Sequence, residues 1–210
     1  MTSKIEAGDR KARGRPKGFD RDAAVRAAMD LFWERGYEGS TFDDLAAAMG
    51  INASSFRNTF KSKELLYREA TDAYVSEAGS WFDGVLAGEK DVHMAFRRLV
   101  EEAAERYTRE GLPLGCMVSL AATHSPPSML SLKQMMSSHR NSAERAMMQR
   151  LRQGQEDGQI ADDINVEAMA AFFNTTFRGM AVQARDGAST ARLLEIADIA
   201  MGAFPALRHK

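Results

Sequence analysis

Residues 41–60 read TFDDLAAAMGINASSFRNTF, and the folding of this stretch decides how the rest of the chain is read. Thr41-x-x-Asp44 has the form of a capping box, in which a hydroxyl and an acidic side chain satisfy backbone N–H groups three residues apart at a helix start. A short helix is therefore predicted after Thr41, ending at Gly50, and a second after Asn52, ending near Phe60. Two helices meeting at a sharp angle need a small residue at the crossing, a turn residue able to take positive φ, and a bulky apolar anchor in the second helix. Ala46, Gly50 and Phe56 supply these in order, and Leu45, Met49 and Ile51 complete the small core. The pattern is that of a helix-turn-helix. The same residues would also serve an ordinary helical hairpin, and the surrounding charge arbitrates.

The chain of 210 residues has a formal charge of −1, which hides a strong local pattern. Residues 1–18 hold six Lys or Arg against two Asp or Glu, residues 19–50 three against seven, and residues 51–68 four against one. Two basic segments bracket an acidic one. Phosphate attraction supplies most non-specific affinity for DNA, so this distribution fits a second helix that approaches a duplex while the first helix faces away. Residues 1–18 then form a flexible basic arm with Arg13, Arg15 and Lys17 as contacts, and residues 19–62 form the DNA-binding domain. In the major groove, Ala53, Ser54 and Ser55 would occupy the first turns of the reading helix, with Arg57, Asn58 and Thr59 able to reach bases or phosphates. Thr41 joins them from the start of the preceding helix. Lys63 follows the Ser62 cap, at a helix N-terminus whose N–H groups attract an anion.

Outward from this window, apolar residues recur at three- and four-residue steps and no stretch alternates strictly, so an all-α fold is expected. Asp20 and Gly36 bound a first helix with Ala24, Ala27, Ala28 and Leu31 inward. Ser62 caps a helix from Lys63 to about Leu86, broken by Gly84 and Gly88; Asp91 opens another reaching about Arg109. A shorter helix from about Gly115 to His124 precedes the break at Ser125-Pro126-Pro127, and Pro127 starts a helix reaching about Gly154. Asn165 and Ser189 cap the last two, ending near Gly187 and before Pro205. Residues 63–210 are thus expected to form a helical ligand-binding and dimerisation domain.

No run of about eighteen apolar residues exists, and the first twenty residues are charged where a signal peptide needs an apolar stretch. A cytoplasmic protein without membrane contact is expected. One cysteine cannot form an internal disulfide, and His93, His124, His139 and His209 show no metal-ligand spacing. No metal or cofactor is implied.

In the C-terminal half, Val166, Ala170, Phe173, Phe177, Met180 and Ala184 repeat at alternating steps of four and three, the seam of a helix lying along another helix. The last helix is apolar nearly all round. A four-helix interface between two copies would cover both; one subunit's own core would do so too. Ten of thirteen methionines fall at or after Met94, among aromatic residues, which suits an adaptable apolar pocket and equally suits core packing. Trp81, Met117, Met136, His139, Phe173 and Phe177 are the candidate ligand contacts. Cys116 follows a glycine at the start of a short helix, as a reactive sensor thiol or as a small buried apolar residue. No cluster of ionisable groups suggests a catalytic site.

Gly14-Arg15-Pro16-Lys17, Leu31-Phe32-x4-Tyr37-x3-Thr41, Asp44-Leu45-Ala46 and Phe60-Lys61-Ser62-Lys63-Glu64 together resemble the tetracycline-repressor (TetR) family. Leu114-Gly115-Cys116-Met117 and residues 178–188 are similar, more loosely, to the ligand-binding half of one branch. The resemblance implies an all-α homodimer, with three N-terminal helices on a palindromic operator and the remaining helices around an effector. Two positions depart from it: Arg57 stands where members usually carry tyrosine, and Thr59 where an aromatic residue or histidine is frequent. Arg57 can grip a phosphate or read guanine bidentately. The expected function is a one-component repressor, released from double-stranded DNA by a small, largely apolar effector. The alternative is a helical-bundle carrier or enzyme with an incidental basic N-terminus.

Overall fold

The computed structural model describes residues 20–121 and 129–204, which form helices and no strand. The helices are α1 (Arg21–Arg35), α2 (Phe42–Ala48), α3 (Ala53–Phe60), α4 (Lys63–Gly88), α5 (Val92–Tyr107), α6 (Met117–Leu120), α7 (Leu130–Glu156), α8 (Val166–Arg185) and α9 (Thr190–Gly202). None is long and apolar enough to cross a membrane among the described residues. Most starts lie where the local chemistry requires them. Asp20, Thr41, Asn52, Ser62, Asp91, Asn165 and Ser189 each accept a backbone N–H three residues on, a contact worth about 1 kcal/mol per helix. The basic arm, with Arg13, Arg15 and Lys17, lies outside the described residues, as do His124, the break at Ser125-Pro126-Pro127, Pro205 and His209.

Two apolar clusters organise the chain. The first joins Ala24, Phe32, Leu45, Phe56 and Phe60 of α1–α3 to Leu66, Tyr67 and Ala70 of α4, and to Met117, Leu132 and Met136 of α6 and α7. The second gathers Phe96 and Leu99 of α5, Met147 and Leu151 of α7, Phe173 and Phe177 of α8, and Leu193 and Ala197 of α9. Helix α4 enters both, through Tyr67 near its start and Val85 and Leu86 near its end. A displacement of α4 would therefore be felt in both clusters.

Four expectations are corrected. The inner face of α1 is Ala24, Val25, Ala28, Met29 and Phe32, with Ala27 and Leu31 only partly covered, because the Phe32 ring meets Tyr67 edge-on at 4.9 Å and turns the helix toward its larger side chains. Gly84 does not break α4: a glycine costs a helix about 1 kcal/mol, too little against the adjacent burial of Val85 and Leu86. Helix α6 is one turn, ending at Leu120. The fourth correction concerns the seam on α8. Val166, Ala170, Phe173, Phe177, Met180 and Ala184 are all buried within the single chain, Phe173 against Phe96 at 4.8 Å between centroids. Periodicity announces that a face is covered and leaves the covering partner unnamed. The large apolar residues that α8 and α9 leave outside are Phe172, Val182 and Ile199, at 43%, 44% and 77% exposure.

Candidate functional site

Helices α2 and α3 form the expected helix-turn-helix corner. The Asp44 carboxylate accepts from the Thr41 backbone N–H at 3.0 Å and from its hydroxyl at 2.6 Å, closing the capping box. Those two hydrogen bonds, with Arg35 adding attraction, hold the Asp44 carboxyl below its usual range. Ala46 is buried at the crossing, Gly50 turns the chain with φ 65°, and its left-handed backbone is open to glycine at no steric cost. Phe56 is buried as the anchor, with Phe42 edge-on to it at 5.2 Å and Phe60 at 5.8 Å.

This anchoring fixes which side of α3 is free. Ala53, Ser54, Arg57 and Asn58 are exposed, and Ser55 and Thr59 are half-covered at the edges of the same face. Asn52 orders the first turn by accepting the Ser55 N–H at 2.9 Å and the Ser54 hydroxyl at 2.6 Å. The Arg57 Nε lies 3.4 Å from the Ala53 carbonyl, a weak contact at the surface that leaves the guanidinium ends free to reach outward. Lys61, with φ 60°, turns the chain from α3 into α4. Lys63 then opens α4 with its ammonium 4.3 Å from the Tyr37 ring centroid, and partial burial lowers its pKa while Glu38 opposes the shift. Thr41 is exposed at the start of α2.

A cavity of about 470 Å³ lies between α4, α5, α7 and α8. Of the predicted ligand contacts, Trp81, His139 and Phe177 line it. Met117 and Met136 instead sit in the N-terminal core, and Phe173 packs in the C-terminal core. Facing the space are further Tyr74, Phe82, Tyr107, Cys116, Arg140 and Asn174. Phe82 meets Phe177 at 6.1 Å, and Trp81 is steadied by Arg106 over its ring at 4.4 Å and by its indole N–H donating to Glu102. Burial pushes the Tyr74 and Tyr107 phenols well above their usual range, and the neighbouring Cys116 adds to both shifts. Cys116 is half-buried at this wall, and α6, which it precedes, is too short to carry the full terminal charge of a helix.

Sequence reasoning missed the tyrosines, Asn174 and Arg140. For Arg140 a signal existed: it interrupts the stripe Leu132, Met136, Arg140, Ala143, Met147 and Leu151, which repeats at helical spacing along α7. Its Nη1 donates to the carbonyls of Val118 at 2.9 Å and Ala121 at 3.0 Å, tying α7 to the end of α6. Among the described residues, no group of three or more His, Cys, Asp or Glu is placed to hold a metal ion.

The sequence profile described as "Bacterial regulatory proteins, tetR family" matches residues 24–70, and that described as "Tetracyclin repressor-like, C-terminal domain" matches residues 95–197. The chain is 35% identical over 199 residues to the HTH-type transcriptional repressor ComR of Escherichia coli strain K12, covering 94% of this chain and 95% of that one. It is 31% identical over 112 residues to the repressor BdcR of the same strain, 53% of this chain and 56% of the other. Among solved structures, a cysteine mutant of the TetR family transcriptional regulator CifR, complexed with 26-base-pair operator DNA, matches with a TM-score of 0.87 at 38% identity. That match covers 91% of this chain and all of CifR's chain. A TetR transcriptional regulator from Chloroflexus aurantiacus, 22% identical with a TM-score of 0.78 over 87% of this chain and 92% of its own, shares the fold.

Proposed function

Since this chain belongs to the tetR family of bacterial regulatory proteins, and is a DNA-binding transcription regulator, we propose that it acts as a homodimeric repressor released from a palindromic operator by a small effector. The observation that carries this reading is the division of α3 into an anchored side, Phe56 and Phe60, and a free polar side, Ala53, Ser54, Arg57 and Asn58. A reading helix needs both, because base contacts discriminate only when the helix is held in register. Ser55 and Thr59 extend the reading face. Thr41 and Lys63 flank it at two helix N-termini, where backbone N–H groups favour phosphate, and Arg13, Arg15 and Lys17 of the basic arm add attraction. Residues 19–62 serve as the DNA-binding domain and residues 63–210 as the effector and dimer domain.

The outward residues Phe172, Val182 and Ile199 support pairing, since two copies related by a two-fold axis would bury them in a four-helix interface. The cavity between α4 and α8 is read as a sensing site for a largely apolar molecule, with Trp81, His139 and Phe177 in contact with it. Coupling follows from α4, which enters both apolar clusters, so that two placements of this helix would set two spacings of the reading helices. A regulator of this kind works in the cytoplasm, beside the DNA, and carries no catalytic step.

The test is to incubate the purified protein with a random pool of duplexes and sequence those retained. A shared palindrome with half-sites about one helical turn, or a multiple of it, apart is expected, with affinity falling steeply as salt rises. Retained fragments without a common motif would refute the reading and favour a carrier whose basic segments bind acids indiscriminately.

A further inference from the structure

Among the described residues, one arginine without an acidic partner, Arg140, lines the cavity, and a second, Arg178, acts on it from α8. Arg140 lines the space, and among the described residues only its Nη1 is engaged, by the carbonyls of Val118 and Ala121. Arg178 on α8 lies near enough for its charge to act on Arg140, and its own Nε is buried with no hydrogen-bond partner among the described residues. Among the described residues, ion pairs are made by Arg21, Arg35, Arg68, Arg97, Arg98, Arg152 and Arg192, and by neither Arg140 nor Arg178. Glu144, one turn beyond Arg140, is occupied elsewhere: its carboxylate accepts from the Asn174 amide at 2.5 Å. Like charges drawn partly out of water and left together are unfavourable unless an anion joins them.

The rest of the cavity is of opposite character. From Tyr74, at the arginine end, α4 runs nine residues to Asp83 at the far end, about 13 Å of helix. Between them Trp81, Phe82, Ala146 and Phe177 offer an apolar trough. A ligand made to fit would have an apolar body in the trough and one negative group against the guanidinium, and the far end, with Asp83, would repel a second.

We propose that the effector is an amphipathic carboxylate, whose aromatic or aliphatic body packs against Phe82 and Phe177 and whose carboxylate pairs with Arg140, assisted by Arg178. The free edge of a guanidinium matches the two oxygens of a carboxylate, which makes this head group the natural complement. The same guanidinium fastens α7 to the carbonyls at the end of α6, so an anion drawn to its free edge pulls on the side chain that holds α6 in place. Because α6 packs on α1 as well as on α4, the pull reaches the DNA-binding helices.

This inference rests on reading the cavity as the effector site, and its test separates the two. Benzoate, phenylacetate, cinnamate and octanoate, each with its amide and methyl ester, are titrated against the full-length protein by calorimetry and by thermal shift. At least one acid is expected to bind ten-fold or more tightly than its own amide and ester. Arg140→Gln should abolish that preference and Arg140→Lys should retain most of it. Because Arg140→Gln also cuts the tie to α6, Arg178→Gln provides a second readout that leaves those hydrogen bonds intact, and it should reduce the preference several-fold. Amides and esters that bind as tightly as their acids would overturn the anionic head group and leave the apolar cavity standing. If no member of any series binds, the cavity reading falls and takes the proposal with it.

Discussion

The Lys63 ammonium is seated over the Tyr37 ring, 4.3 Å from its centroid, so the cation that opens α4 is held by an aromatic face from the turn after α1. Tyr37 is itself fixed edge-on to Tyr67 at 5.1 Å, within the first apolar cluster. A cation over a ring at a partly exposed site gains about 0.5–1 kcal/mol, enough to favour one direction for a flexible side chain. Lys63→Ala is expected to weaken binding to operator and scrambled duplexes equally and to lower the salt slope by about one unit. Tyr37→Phe keeps the ring and should change neither. A loss of selectivity in Lys63→Ala, measured by fluorescence anisotropy across a salt series, would contradict the phosphate role.

Arg57 stands on the exposed face of α3 where the family usually has tyrosine, and among the described residues its guanidinium is anchored only by the weak contact to the Ala53 carbonyl. A phosphate role predicts that Arg57→Ala weakens all duplexes alike and again lowers the salt slope by about one unit. Should it instead cost about 1–3 kcal/mol on the operator alone and relax preference at one base of each half-site, Arg57 reads guanine. The same anisotropy series decides.

Phe177 and Val182 lie five residues apart on α8 and face opposite fates. Phe177 is buried inside the chain and Val182 is outside, so the same charge placed at each should act on different equilibria. Phe177→Glu is expected to destabilise the fold by more than about 4 kcal/mol, through lost packing and an unpaired buried charge. Val182→Glu should leave the circular dichroism melt of the protomer nearly intact while sedimentation shows monomers. A dimeric, fully stable Val182→Glu protein would remove this face from the interface.

Much of this architecture was legible because the information is local. Caps such as Asp20, Asn52 and Ser189 act on the third residue beyond them, and a reader of sequence needs nothing else. The corner of Ala46, Gly50 and Phe56 is equally local, and the exposed set on α3 follows from the anchor. What sequence could not give was direction. Methionine at Met117 or Met136 satisfies a core and a cavity alike, and only the placement of α6 and α7 against α1 and α4 puts both residues in the core. The α8 seam failed in the same way. Arg140 was readable as a charge in an apolar stripe, but the nearby charge of Arg178 comes from another helix beyond a loop, and no spacing rule spans them.

At Gly115 the backbone has φ 77°, and a Cβ would fall 2.5 Å from the Ala181 carbonyl oxygen. Its N–H donates to the Tyr107 carbonyl at 2.8 Å, which closes the loop behind the cavity. Gly115→Ala is therefore expected to cost at least about 2 kcal/mol in urea unfolding, since neither backbone atom can give way easily. Gly50→Ala, with φ 65° and nothing within 4 Å of the added carbon, should cost only about 1 kcal/mol. Equal losses at the two sites would mean that the close approach to Ala181 carries no weight.

A protomer whose α8 stripe is already covered by its own α5, α7 and α9 can complete its core during synthesis, before any second copy arrives. Pairing then follows folding, and partners are drawn from a common pool. An allele that damages α3 but spares Phe172, Val182 and Ile199 would thus supply subunits that still pair with normal ones. With both alleles expressed equally, about three quarters of the pairs would contain at least one damaged subunit. In a cell carrying both alleles such mutations would be dominant, whereas a substitution such as Phe177→Glu, which removes the folded subunit from the pool, would be recessive.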